Sequence, residues 1–260
     1  MHPWLVYTNT LSVPTYFFLL MTGFALASGL VAREARRSRV SERSVLDLCL
    51  VLLPCVLVGA RLAHIVFEVP ETYLANPRLL LSLDGGLVFY GGAGAAVLVG
   101  LAWSRRQQVS FWTLCDIFTP ATAFGLVYGR LGCLGAGCGH GRPATWPFGF
   151  EVPWSVRYYR RGLLPEELLA VPLHPAPLYE SLGCLAIFVW LSRVRGRQTF
   201  AGQTALSFLL GYGTLRIVVE AFRADELRGV YANGWLSTSQ VISGVLLACA
   251  AVLWRRLSRR

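Results

Sequence analysis

The chain has 260 residues, of which 55% are hydrophobic and only 15% are charged. A soluble domain carries about 25% charged residues, so this composition excludes an ordinary soluble protein and indicates an integral membrane protein. All 24 basic residues are arginines and the net charge is +10. On composition alone, that charge would also suit a nucleic-acid-binding protein.

Seven apolar stretches follow one another along the chain, each close to the roughly 20 residues that a helix needs to cross about 30 Å of hydrocarbon. They cover residues 12–32, 45–67, 86–104, 109–129, 177–192, 202–222 and 237–254. We therefore expect an all-α integral membrane protein with seven transmembrane helices, built as a single polytopic domain over residues 1–260. Between spans four and five, residues 133–176 are expected to form a small head outside the membrane.

The arginines between the spans are concentrated in alternate connections and after the last span. By the positive-inside rule these segments lie in the cytoplasm, which places the N-terminus and the periplasmic head outside and the C-terminus inside. The basic charge is then mainly a signal of orientation, with anionic lipid as a secondary partner, and nucleic-acid binding is not predicted. The clustered arginines are Arg33, Arg36, Arg37, Arg39, Arg43, Arg105, Arg106, Arg193, Arg195, Arg197, Arg255, Arg256, Arg259 and Arg260.

The third span begins with Tyr90, Gly91 and Gly92. Small residues allow tight packing between membrane helices, and they equally allow a ligand to approach the backbone. Tyr90 is either an aromatic residue of the membrane interface or a reactive phenol. The residues alone leave both interpretations of this segment open.

The fourth span ends at Arg130, and six glycines lie between positions 129 and 141. Glycine lets the backbone approach another chain or a ligand closely, and a guanidinium group suits bidentate contact with a phosphate. The alternative is that the Arg130 side chain extends to the membrane interface without binding anything.

Cys133, Cys138 and His140 follow in the same segment. A structural zinc site needs four ligands, usually in two close pairs, so three residues at this atypical spacing predict no metal. A disulfide between the two cysteines is favoured by an oxidising outer face, and the plainest alternative is that both are small residues that fill the loop. No cofactor is predicted.

The fifth span carries Glu180 near its start, where an acidic residue complements the helix dipole. The sixth span carries four polar residues spaced by 4, 4 and 3 positions. Residues at this spacing lie within about 80° of one another around a helix, so they form a polar stripe on an otherwise apolar helix. Charged residues inside membrane helices are costly and mark functional sites, although an ion pair between Arg216 and Glu220 that only packs the helices is the alternative. The stripe consists of Tyr212, Arg216, Glu220 and Arg223.

In the predicted orientation these polar segments all lie in the outer half of the membrane. Two arginines and one acidic residue that converge there suit the headgroup of an anionic phospholipid. One or two tyrosines would complete such a site.

The same segments resemble, in order and along nearly the whole chain, the prolipoprotein diacylglyceryl transferase family of bacterial inner-membrane enzymes. The family motif G-R-x-G-N-F-x-N-x-E-x-x-G corresponds to residues 129–141, and D-G-G-x-x-x-H-G-G corresponds to residues 84–92. H-P-x-Q-L-Y-E corresponds to residues 174–180, and Y-x-x-x-R-x-x-x-E-x-x-R to residues 212–223. A tyrosine of the first span has its match in Tyr16.

The resemblance implies that a diacylglyceryl group moves from phosphatidylglycerol to the lipobox cysteine of a preprolipoprotein, with release of glycerol phosphate. It also implies a multi-pass protein of the bacterial plasma membrane, acting as a monomer. On this hypothesis Arg130 and Arg216 bind the phosphate, Glu220 orients Arg216, and Arg223 closes the outer edge. Hydrogen bonding or relay of the thiol proton is assigned to Tyr16, Tyr90 and Tyr212, and the remaining phospholipid contacts to Gly91, Gly92, Gly132, Cys133 and Gly141.

Three departures from the family pattern are serious. Cys133 and Cys138 stand where the motif has asparagine and glutamate, and Tyr90 stands where the family has a histidine base. A phenol, with a reference pKa near 10, is a poor base at neutral pH, so His140 is the candidate substitute. A divergent paralogue that binds phospholipid or transfers another group is the alternative. A transporter or receptor is disfavoured because no repeat or paired interrupted helix is visible.

Overall fold

The computed structural model describes residues 4–7, 12–67, 70–76, 86, 88–144, 168, 171–223, 230–231 and 236–259. The chain in these ranges is predominantly helical. The helices are α1 (Thr15–Arg37), α2 (Glu42–Phe67), α3 (Pro70–Ala75), α4 (Phe89–Arg106), α5 (Phe111–Ala136), α6 (Ala176–Gly196), α7 (Gln203–Glu220) and α8 (Thr238–Leu257). Two short antiparallel pairs accompany them, β1 (Trp4–Tyr7) with β2 (Ser12–Pro14) and β3 (Val230–Tyr231) with β4 (Leu236–Ser237).

Each long helix overlaps one of the seven apolar stretches, as expected of segments that must satisfy their own backbone hydrogen bonds in lipid. Four helices in the described part of the chain are long and apolar enough to cross a membrane: α1, α2, α5 and, within α8, Ser239–Leu257. Large apolar side chains such as Leu50 and Leu98 are about two-thirds exposed, at 66% and 68%, which suits contact with lipid. The chain is therefore an all-α membrane protein, while the number of spans and their orientation stay predictions.

Helix α5 continues beyond the predicted end of span four. It ends at Ala136, seven residues further along, because Gly137 and Gly139 then adopt left-handed conformations with φ of 80° and 66°. The Cys138 amide donates to the Cys133 carbonyl at 3.1 Å, which is the hydrogen bond that closes a Schellman helix end. Residues 130–136 are consequently helical, and most of the expected head, residues 145–167, lies outside the described residues.

The chain divides into two compact units, and the smaller one is Val31–Leu114. Here α2 and α4 pack through small residues. A Cβ atom on Gly91 would lie 2.3 Å from the Gly59 carbonyl oxygen and 2.3 Å from the Ala63 Cβ atom. A Cβ atom on Gly92 would lie 3.0 Å from Val56. Tight helix packing therefore accounts for the glycines at the start of α4.

The larger unit comprises Met1–Leu30 and Cys115–Arg260. Its apolar core is centred on Ala123, Ile187 and Leu191, which join α5 to α6. The start of α7 is anchored by Asp116, a fully buried residue of α5. The Asp116 carboxylate accepts hydrogen bonds from the backbone amides of Gly202 at 2.6 Å and Ala205 at 2.9 Å, so it caps α7 from a neighbouring helix.

Candidate functional site

The site is built around Glu180, which lies near the start of α6 and is completely buried. Three guanidinium groups from other parts of the larger unit converge on its carboxylate. Arg130 Nη2 lies 2.8 Å from Oε1, and on the other oxygen, Oε2, Arg223 Nη1 and Arg216 Nη1 lie at 3.6 Å and 3.9 Å. The Tyr212 hydroxyl donates to Oε1 at 2.9 Å.

Arg216 is held by two further contacts. Its Nη2 atom lies 2.7 Å from Glu220 Oε2, one turn further along α7, and donates to the Ser239 hydroxyl of α8 at 3.1 Å. The Arg216 side chain is only 8% exposed. The acidic partner within the helix and the hydroxyl from the next helix together fix the direction of the guanidinium plane.

Arg216 Nη1 and Glu180 Oε2 are among the buried polar atoms of this cluster that lack hydrogen bonds to any described residue. The 3.9 Å between them is too long for a hydrogen bond. A buried polar atom left in this state costs about 1–3 kcal/mol. The position beside Arg216 Nη1 is therefore one where an additional acceptor oxygen would be stabilised.

The cluster carries an excess of positive charge. Three guanidinium groups, from Arg130, Arg216 and Arg223, face two carboxylates, from Glu180 and Glu220. Within the described residues of the cluster, positive groups outnumber negative ones by one, and excess charge in buried surroundings is costly. An anion with one negative charge, such as a phosphodiester, would neutralise it.

Cys133 lies in the last turn of α5, one helical turn after Arg130. The Cys138 thiol donates to the Cys133 carbonyl oxygen, which lies 3.7 Å from Cys138 Sγ. Both cysteines are thiols and not a disulfide. The contact with Cys133, followed by burial, raises the pKa of the Cys138 thiol, so Cys138 keeps its proton.

Glycines allow the backbone after α5 to approach the arginine cluster. A Cβ atom on Gly139 would lie 3.0 Å from Arg223 Nη2, and one on Gly141 would lie 2.4 Å from the His174 carbonyl oxygen. Gly141 also pairs with Arg223 in an antiparallel bridge. The segments before α6 and after α7 are thus tied to this loop by main-chain contacts.

Tyr16, in the first turn of α1, packs on the same end of α5. A Cβ atom on Gly132 would lie 3.1 Å from the Tyr16 ring and 3.3 Å from its Cα atom. Gly132 therefore provides the space that brings Tyr16 to the site.

His140 Nδ1 lies 3.3 Å from the carbonyl oxygen of Gly141. A carbonyl oxygen only accepts, so this contact requires a proton on Nδ1, and in the neutral imidazole Nε2 then carries the lone pair. His140 is thus arranged as a possible proton acceptor. No group of three His, Cys, Asp or Glu side chains suited to a metal ion occurs in the described ranges.

The residues predicted at the start of span three belong to the smaller unit. Tyr90 is 52% exposed and contacts Phe89 edge to face, with ring centroids 5.7 Å apart. Gly91 and Gly92 pack on α2. Participation of these three residues in the site with Arg130 stays a prediction.

Sequence analysis missed the central role of Glu180, which it interpreted as a complement to the helix dipole. The available signal was an acidic residue inside an apolar span, which requires a partner, together with arginines in two other spans. Ser239 was also missed, and a single serine at the start of an apolar stretch carries no such signal.

The family model described as prolipoprotein diacylglyceryl transferase matches residues 3–256 of this chain. The chain belongs to the prolipoprotein diacylglyceryl transferase family. The resemblance inferred from the motifs is thereby confirmed, and the chain is a member of a family of transferases.

Relatives from distant bacteria match this family member over most of their length. A phosphatidylglycerol–prolipoprotein diacylglyceryl transferase of Bordetella parapertussis is 32% identical over 245 residues, covering 90% of this chain and 89% of the relative. The protein of that name from Desulfotalea psychrophila is 29% identical over 262 residues, covering 97% and 92%. The one from Bacillus cereus is 32% identical over 237 residues, covering 88% and 83%.

Proposed function

We propose that this protein transfers the diacylglyceryl group of phosphatidylglycerol to the thiol of a lipobox cysteine in preprolipoproteins, forming a thioether and releasing glycerol phosphate. Family membership and the names of the relatives support the reaction. The observation that carries the proposal is the convergence of Arg130, Arg216 and Arg223 on one buried carboxylate with an excess positive charge.

The arginine cluster suits the charge changes of this reaction. The lipobox sulfur attacks the glyceryl carbon, the bond from that carbon to the phosphate oxygen breaks, and the leaving phosphate gains negative charge. Donors fixed around the position where charge develops stabilise the transition state more than the substrate. Arg216 Nη1, which lacks a hydrogen bond to any described group, and Arg130 are the donors that bind the phosphate, while Glu220 orients Arg216 and Arg223 closes the outer edge.

Proton removal from the lipobox thiol is assigned to His140, because its contact with Gly141 leaves Nε2 as an acceptor. Tyr16 and Tyr212 hydrogen-bond the reacting groups, and Tyr90 is the remaining candidate for the proton relay. Gly132, Cys133 and Gly141, together with Gly91 and Gly92, complete the phospholipid contacts.

The proposal places the protein in the bacterial plasma membrane as a seven-span monomer with its N-terminus and head outside. Arginines in the last turns of α1, α4, α6 and α8 support this orientation, because these are the helix ends that would face the cytoplasm. The site then lies in the outer half of the bilayer, where phosphatidylglycerol and exported preprolipoproteins meet.

A second candidate function is that of a paralogue that binds phosphatidylglycerol or transfers another group. It is favoured by the replacement of the family's asparagine, glutamate and histidine by Cys133, Cys138 and Tyr90. Both functions use the arginine cluster, and they differ in what is transferred.

Complementation and mass measurement together test the proposal. Cells depleted of their own transferase receive the parent chain, the Arg216→Ala variant, or Arg106→Ala as a control that removes an exposed arginine. We expect rescue by the parent and the control only.

Purified parent protein with phosphatidylglycerol should add the mass of diacylglycerol minus water to a lipobox peptide. Proper membrane insertion without rescue and without this mass would exclude the transferase function and favour the paralogue.

A further inference from the structure

Arg142 joins three segments of the larger unit that lead to the arginine cluster. It follows Gly141 in the loop after α5. Its backbone amide donates to the Phe222 carbonyl at 2.9 Å, and its own carbonyl accepts from the His174 amide at 3.0 Å. Phe222 lies just after α7, and His174 lies just before α6. One residue therefore connects the ends of the three helices that supply the cluster.

The Arg142 side chain makes a further hydrogen bond to the segment after α7. Its Nε atom donates to the Arg223 carbonyl oxygen at 2.9 Å. Carbonyl groups at and beyond the end of a helix find no partner within that helix. Arg142 thus binds two successive carbonyls, that of Phe222 with its backbone amide and that of Arg223 with its side chain. A basic group at this place also suits the negative end of the dipole of α7.

The backbone of Arg223 carries a buried guanidinium group. The Arg223 side chain is only 4% exposed, and its Nη1 atom lies 3.6 Å from Glu180 Oε2. Because Arg223 lies beyond the regular part of α7, individual contacts hold its backbone. Its amide donates to the Glu220 carbonyl at 3.2 Å, and it pairs with Gly141 in an antiparallel bridge. The Arg142 side chain adds the contact at the carbonyl, so losing that contact would let the guanidinium shift relative to the carboxylate.

We infer that Arg142 is a positioning residue for Arg223, and that it acts through the hydrogen bond from its Nε atom to the Arg223 carbonyl oxygen. What Arg142 contributes is a donor at a fixed place, not the charge of its guanidinium group. The kinetic part of this inference rests on the proposed function, because that function assigns Arg223 to the outer edge of the lipid phosphate site.

Two substitutions at position 142 separate the hydrogen bond from the charge. The Nε2 atom of glutamine is as many bonds from the backbone as the Nε atom of arginine, so Arg142→Gln keeps a donor and removes the charge. Arg142→Met reaches the same distance but ends there in a methyl group, which does not donate. Arg106→Met, which makes the same change at an exposed arginine, is the matched control.

The kinetic test compares these variants with the parent. Arg142→Met should raise KM for phosphatidylglycerol about tenfold and change kcat less than about twofold, because losing a contact made equally to the bound lipid and the transition state raises KM alone. Arg142→Gln and Arg106→Met should stay within about twofold of the parent in both constants. The same KM in Arg142→Met and the parent, or an equal rise in Arg142→Met and Arg142→Gln, would overturn the inference.

A second test distinguishes positioning from a general effect on folding and does not use transfer activity. Binding of phosphatidylglycerol is measured as the rise in unfolding temperature of the detergent-purified protein with lipid concentration. Arg142→Met should weaken binding about tenfold in the parent. In an Arg223→Gln background the same change should weaken binding less than about twofold, because Arg142 acts through the side chain that this background lacks.

Equal weakening in the two backgrounds would contradict the inference, because Arg142 would then act on binding by another route. If Arg142→Met weakens binding as expected and the parent modifies no lipobox peptide, the transferase proposal fails and the positioning of Arg223 stands. If the parent modifies the peptide and all the variants at position 142 bind the lipid equally well, the inference fails and the transferase proposal stands.

Discussion

Replacing Glu180 by glutamine should destabilise the protein strongly in the absence of lipid. The substitution keeps the side-chain volume and removes the only carboxylate shared by Arg130, Arg216 and Arg223 among the described contacts. Among the described residues of the cluster, Glu220 is then the one acidic group that faces three guanidinium groups. Removing one partner of a buried ion pair costs about 3–5 kcal/mol, and the contact of 2.8 Å with Arg130 places this case within that range.

The assay is thermal unfolding of the detergent-purified protein, followed by tryptophan fluorescence, with and without phosphatidylglycerol. The glutamine variant should unfold at a clearly lower temperature than the parent, and phosphatidylglycerol should raise its unfolding temperature more than it raises the parent's. The reason is that the lipid phosphate supplies the missing negative charge, and a ligand that binds only the folded state stabilises it.

Glu42→Gln is the matched control, because Glu42 forms a largely exposed ion pair with Arg36 at 3.1 Å. Exposed pairs contribute about 0–1 kcal/mol, so this variant should unfold close to the parent. If Glu180→Gln unfolded at the same temperature as Glu42→Gln, the central role of Glu180 would be refuted. If phosphatidylglycerol stabilised Glu180→Gln no more than the parent, the assignment of the cluster to a lipid phosphate would be refuted.

Three further predictions concern other parts of the molecule. Asp116→Ala leaves two buried backbone amides without their acceptor and should cost about 2–4 kcal/mol of stability. The measurement is the unfolding temperature, which should fall. An unchanged unfolding temperature would show that Asp116 does not anchor α7. Gly91→Ala should reduce the yield of folded protein because the added Cβ atom would overlap α2. Gly94→Ala is the control and should not reduce the yield, because a Cβ atom there would have no neighbour within 4 Å. Equal yields would contradict the packing of α4 on α2. His140→Ala should lower kcat at least about 100-fold and change the pH profile of kcat, as loss of a general base does. Tyr90→Phe should leave that pH profile unchanged. The reverse result would assign the base to Tyr90.

The helices could be predicted from the sequence because a membrane-spanning segment is identified by local composition and length. The end of α5 could not. Taken together, the glycines between 129 and 141 indicate a loop. Gly132 nevertheless lies within α5, where the absence of a side chain makes room for Tyr16. The helix ends only where a positive φ at Gly137 is required. Which glycine packs and which one turns the chain depends on neighbours distant in sequence.

The polar stripe of α7 could likewise be predicted, because residues spaced by three and four share a helix face. Its connection to Glu180 could not, since most of α6, the connection after it and most of α7 separate that residue from Arg216. Spacing along one helix is readable from the sequence, whereas the choice of partner on another helix depends on how the helices pack.

Helix α7 is fixed near both of its ends by charged groups. At its start the Asp116 carboxylate holds the first backbone amides, and near its end Arg216 is tied to Glu180, Glu220 and Ser239. The 18 residues between Gln203 and Glu220 span about 27 Å at a rise of 1.5 Å per residue. A helix anchored near both of its ends has little freedom to slide or tilt. The guanidinium groups are therefore already oriented when an anion binds, and little binding energy is lost in reorganising them.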